Sequence, residues 1–66
     1  MNWIIINNNA IDLRKVDSIE KDATLIRFHS TASGNKVLIA EVNLGDDDTS
    51  AFFFSEIMKR LGAVDI

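Results

Sequence analysis

Trp3-Ile4-Ile5-Ile6 puts four aromatic or β-branched residues in a row near the start of the chain, a composition that favours strand. Side chains alternate across a strand, so Trp3 and Ile5 share one face and Ile4 and Ile6 the other. Asn7-Asn8-Asn9 reads as a turn, because Asn tolerates the left-handed backbone of tight hairpins. Ala10–Leu13 resumes the strand. The next apolar positions, Val16 and Ile19, are three apart, which breaks strict alternation and predicts a turn or bulge at Arg14-Lys15. Further strands are predicted over Val16–Glu20, Ala23–Ser30 and Lys36–Leu44. A turn is expected at Lys21-Asp22 and a loop at Thr31–Asn35. In the longest strand Leu38, Ala40, Val42 and Leu44 form the apolar face.

After Gly45 the period changes. Phe54, Ile57, Met58 and Leu61 fall at i, i+3, i+4 and i+7, one face of an amphipathic helix. Asp46–Thr49 opens it, with Asp48 or Thr49 as the side chain that caps the free N–H groups. Acids there suit the positive end of the helix dipole, and Lys59 and Arg60 suit its negative end. Gly62 is placed to end the helix. Ala63–Ile66 is the segment expected to be disordered.

The sequence thus predicts an α+β chain of one domain over residues 1–66: an antiparallel β-meander of four to five strands, open or rolled, packed by one C-terminal helix. The stretch Ile11-Asp12-Leu13-x-x-Val16-x-x-Ile19-Glu20, between an apolar strand and further strands with a terminal helix, resembles a loose group of small uncharacterised bacterial and phage proteins. The resemblance implies that layout and a bacterial or phage origin. It brings no activity, cofactor or site residue with it.

Composition narrows the function more than it defines it. A 66-residue chain buries only roughly 60% of the surface it exposes when unfolded, so its core is marginal without a disulfide, a metal or self-association. There is no Cys, which removes disulfides and thiolate metal sites, and the one His, His29, cannot form a multi-His zinc site. Asp46, Asp47 and Asp48 account for the whole net charge of −3, the other seven acids matching seven Lys and Arg. The basic patch expected of a nucleic-acid binder is missing. No apolar run approaches a membrane span, and the N-terminus lacks the basic and cleavage regions of a signal peptide. The chain is therefore expected in the cytoplasm, with neither nucleic acid nor membrane as partner.

Three motifs invite a chemical reading and fail it. Asp46-Asp47-Asp48 offers oxygens to a hard cation, but the acids are consecutive and lead straight into a helix, so capping and solubility account for them. His29 adjoins Ser30 and lies near Thr31 and Ser33, yet neighbours on a strand face opposite ways and no orienting third group is apparent. Ser33-Gly34-Asn35-Lys36 lacks the second Gly, the Lys-Ser/Thr ending and the following helix of a phosphate loop. No catalytic residue, metal ligand or cofactor is assigned.

What the pattern leaves over is apolar surface. Phe52, Phe53 and Phe54 spread over roughly 200° of a helix, wider than the stripe a helix buries against one sheet. Either a rolled sheet wraps the helix start, or an aromatic edge faces a partner. Trp3, Ile5, Leu25, Val37 and Ile39 would share the sheet face opposite the helix, a second candidate patch. The expectation is a non-enzymatic protein-interaction module, a homodimer or a binder of another protein, using Phe52, Phe53, Trp3, Ile5, Leu25 and Ile39. An alternative is a small acidic decoy that contacts a basic site on a host protein through Asp46, Asp47 and Asp48. An enzyme with a composite site across a dimer ranks last.

Overall fold

Leu13–Lys15 divides the strands into two sets. In a computed structural model, which describes residues 2–32 and 34–66, strands β1 (Trp3–Ile6) and β2 (Asn9–Asp12) form one antiparallel hairpin. Strands β3 (Ser18–Asp22), β4 (Leu25–Ser30) and β5 (Val37–Asn43) form a separate antiparallel sheet with β4 in the middle. The helix α1 runs over Asp47–Leu61. The α+β class with a C-terminal helix holds; the single continuous meander does not. Ser33, which belongs to the expected loop and to the Ser33–Lys36 reading, lies outside the described residues, as does Met1.

The break between the sheets has a local cause. Residues Leu13–Lys15 make one 3₁₀ turn, and the Asp12 carboxylate accepts hydrogen bonds from the Arg14 backbone N–H (3.0 Å) and from its guanidinium Nε (3.0 Å) and NH2 (2.8 Å). A side chain that binds its own backbone two residues on competes with the strand ladder. The irregular spacing at Val16 and Ile19 marks this turn, and it ends the sheet instead of bending it.

The β1–β2 and β3–β4 turns are each two residues long. Asn7 (φ 49°) and Asn8 (φ 66°) both take the left-handed conformation that the tightest hairpin loop needs, which leaves Asn9 in β2 opposite Ile6. The expected three-Asn turn is shorter by that residue. Between β3 and β4 the turn is Ala23-Thr24 and not Lys21-Asp22, because Lys21 pairs with Ile26 and Asp22 with Leu25. Lys21 thereby lies on the core side of the sheet, where its ammonium reaches Asp47 of α1 at 2.6 Å and its stem lies along the core rim. Ala23 has φ 52°, a conformation that costs an L-residue roughly 1–2 kcal/mol. Glycine recovers most of that and loses about 0.5–1 kcal/mol to chain entropy. Ala23→Gly is expected to raise stability by up to about 1 kcal/mol, read as a higher urea midpoint at unchanged slope.

Alternation along β4 places Ile26 and Phe28 in the core, fully buried, and Arg27 on the outer face. There Arg27 meets Glu41 (2.8 Å), Asp22 (3.1 Å) and Glu20 (3.6 Å), and the Glu41 and Asp22 carboxylates hold its pKa above the usual value. In β5 the pairing shifts between Phe28 and His29, so that Ala40 lies opposite Phe28 but Leu38 opposite His29, with Ile39 as the extra residue. This bulge corrects the expected apolar face: Val42 and Ala40 turn to the core, while Val37, Leu38 and Ile39 are all about half exposed.

The core forms where Ile6, Ile11 and Leu13 of the hairpin segment meet Ile26, Phe28 and Val42 of the sheet and Ile57 of α1. Asp46 is the residue that caps α1, in place of the expected Asp48 or Thr49; its carboxylate accepts from the Thr49 N–H and hydroxyl, each at 2.7 Å. Gly62 (φ 70°) ends the helix as expected, its N–H donating to the Lys59 carbonyl at 3.2 Å while that of Ala63 donates to Met58 at 3.0 Å. Leu61, predicted on the inner face, is half exposed.

Three carboxylates have folded pKa values below the ordinary 3.8. Asp46 is lowered by the Thr49 N–H, Asp12 by the Arg14 side chain, and Asp17 by the Thr31 hydroxyl. A group whose pKa falls on folding stabilises the fold above its unfolded value, and that contribution disappears as pH drops through the folded value. The urea midpoint is therefore expected to hold from pH 7 to about 5 and to fall below about 4. Asp46→Ala is expected to lower the melting temperature at pH 7 by roughly 4–8 °C and to flatten part of the acid limb.

Candidate functional site: a groove between strand β1 and the helix

β1 and α1 enclose an open groove of about 490 Å³. Trp3, Ile4, Ile5 and Ile6 form one wall, and Phe52, Phe53, Glu56, Ile57 and Arg60 the other. Ile6 and Ile57 at its floor belong to the core. Above them the apolar surface is open: Trp3 is 51% exposed, Ile5 80% and Phe52 61%. The Phe52 and Phe53 rings meet edge to face with centroids 5.6 Å apart, a favourable aromatic geometry. Phe53 and Phe54 pack against the core and are partly buried. The three consecutive Phe are thus divided, two leaning inward and Phe52 outward.

Four of the six candidate interface residues, Trp3, Ile5, Phe52 and Phe53, come together in this groove. Leu25 and Ile39 do not. Leu25 pairs with Asn43 on the outer face of the three-stranded sheet, beside the Arg27 ion pairs, and Ile39 is the bulged residue of β5. Because β1 belongs to a different sheet, the expected single face uniting Trp3, Ile5, Leu25, Val37 and Ile39 is split.

The acidic run is largely spoken for within the fold. Asp46 caps α1 and Asp47 pairs with Lys21, which leaves Asp48 as the member of the run whose carboxylate has neither a hydrogen bond nor an ion pair among the described residues. His29 is buried, with Nε2 3.9 Å from Glu20 and Nδ1 without a hydrogen-bond partner. Ser18 lies across the strand from it, but no hydroxyl bonds the imidazole among the described residues. No group of three or more His, Cys, Asp or Glu that could hold a metal occurs among them either, and no helix is long and apolar enough to cross a membrane.

No known family, characterised protein or solved structure matches this chain. The groove is therefore interpreted on its own geometry. Two of its features went unread in the sequence. Glu56 and Arg60 continue the helix stripe of Phe52 at i+4 and i+8, so a charged pair borders the aromatic patch. The other is the free edge of β1, which becomes apparent only once the pairing partner of each strand is known.

Proposed function

We propose that this chain is a small, non-catalytic protein-interaction module that self-associates through the groove between β1 and the start of α1. The observation that carries the reading is the convergence of Trp3, Ile5 and Phe52, all more than half exposed, on one concave surface. Large exposed apolar side chains scattered singly are ordinary; a contiguous set marks an interaction site. The total accessible surface supports the same reading. It is 4668 Å², about a tenth more than the scaling for folded monomers gives a 7.4 kDa chain.

A stable dimer buries at least about 600 Å² on each copy, roughly an eighth of this surface. Aromatic residues are enriched at the centre of such interfaces and charged ones at the rim, the arrangement of Phe52 and Trp3 with Glu56 and Arg60. The acidic decoy has weaker support, since two of its three carboxylates are engaged inside the fold. A reducing, cytoplasmic setting suits a chain without Cys.

Phe52→Glu tests the reading. The residue lies on the open side of the helix, so its replacement is expected to cost the isolated chain no more than about 1.5 kcal/mol, the worth of its edge-to-face contact with Phe53. A charge in the centre of an apolar contact is expected to weaken dimerisation at least about a hundredfold, since one unpaired buried charge costs several kcal/mol. Sedimentation equilibrium gives the dimer constant, and urea unfolding of the dilute variant gives the stability.

A further inference from the structure

We infer that the groove takes a second copy of this chain by strand addition, β1 of one copy pairing antiparallel with β1 of the other to make one sheet in the order β2-β1-β1-β2. The inference rests on the self-association proposed above and assigns its mode. It begins with the backbone of β1. The Leu13 N–H donates to the Asn2 carbonyl at 2.7 Å, and Ile4 faces Ile11 and Ile6 faces Asn9. In an antiparallel ladder, pairs that exchange hydrogen bonds alternate with pairs that do not. Asn2, Ile4 and Ile6 therefore bond toward β2, while the N–H and C=O groups of Trp3 and Ile5 point away from it. Those groups have no hydrogen-bond partner among the described residues.

An unpaired edge of this kind is a template for another strand, and folded proteins usually blunt it with charge, proline or a bulge. The other sheet follows that rule. The edge strand β3 carries Glu20, Lys21 and Asp22, and the edge strand β5 carries the bulge at Ile39. β1 has none of these. Its four residues are all large and apolar, and it borders the groove.

Symmetry selects the occupant. With a two-fold axis at Ile4, Trp3 of each copy lies opposite the partner's Ile5. All the outward-facing groups of both residues are then paired, in about four new hydrogen bonds. No other symmetric register pairs these two residues with each other. It also brings the two most exposed side chains of the strand together as an aromatic and β-branched cross-strand pair, a favourable combination. Glu56 and Arg60, of opposite sign, both stand on the groove wall, so a two-fold axis sets opposite charges on facing walls, although Glu56 also pairs with Lys59 of its own helix at 3.1 Å. Arg60 has no ion pair within its own chain among the described residues.

The test uses the full chain made by chemical synthesis with an N-methyl group on the Ile5 amide. This removes a donor from the free edge and leaves every β1–β2 hydrogen bond in place. An N-methyl group on Ala10, whose N–H points off the far edge of β2, is the control. Sedimentation equilibrium is expected to show at least a tenfold weaker dimer for N-methyl-Ile5 and an unchanged one for N-methyl-Ala10. In the unmodified chain, the Trp3 and Ile5 amides are expected to exchange slowly with solvent above the dimer constant and fast below it. This second measurement stands even if the methylated chain fails to fold. A dimer broken by Phe52→Glu, in which both amides exchange fast at every concentration, would overturn strand addition and leave self-association intact. A native chain that is monomeric throughout would overturn both.

Discussion

Phe28→Ala is expected to abolish cooperative unfolding of this chain. Phe28 is fully buried on the central strand of the three-stranded sheet, with Ile19 opposite it on one side and Ala40 on the other. The small Ala40 leaves room for the ring, and the core residues of the hairpin and helix close over it. Truncating a buried Phe to Ala costs about 3–5 kcal/mol, because the cavity collapses only in part. A chain of this length has about 3–10 kcal/mol in all, so the substitution removes much or all of the margin. A far-UV circular dichroism melt is expected to lose its sigmoidal step. Phe28→Leu, which keeps much of the volume, is expected to retain a step at lower temperature.

The second large effect is expected at Ile57. It is the apolar residue of α1 that is buried outright, the other buried position on the helix being Ser50. The sheet and hairpin therefore hold the helix chiefly through Ile57, helped by the partly buried Phe53, Phe54 and Met58. Ile57→Ala is expected to cost about 2–5 kcal/mol, while Phe52→Ala, on the open side, costs no more than about 1.5 kcal/mol, the worth of its contact with Phe53. Urea titrations of the dilute variants measure both. Equal costs at the two positions would mean that Phe52 is buried within a single chain, and the groove would lose its aromatic wall.

That contrast also indicates how far the sequence reaches. The helix was legible because its start, period and stop agree: the acids at 46–48, the apolar stripe through Ile57 and the left-handed Gly62. The surplus of apolar side chains was legible too, since three consecutive Phe overfill any single helix stripe. The division into two sheets was not. It depends on Asp12 binding the Arg14 backbone and guanidinium, and an isolated Asp-x-Arg has no distinctive signature. The turn at Ala23 was hidden for a similar reason, because alanine is not a turn former and adopts φ 52° only under the register imposed by Ile19, Ile26 and Phe28. The bulge at Ile39 defeated face assignment along β5, since one extra residue reverses every position beyond it. At the candidate site, Trp3, Ile5, Phe52 and Phe53 were readable as surplus, but their convergence depends on β1 lying beside α1, a tertiary fact.

Self-association through this groove is tested most directly by the molar mass of the native chain in solution, measured by sedimentation across a hundredfold range of concentration. The mass is expected to rise with concentration from one chain to two, with Phe52→Glu remaining at one chain throughout. A native mass of 7.4 kDa at every concentration would contradict it.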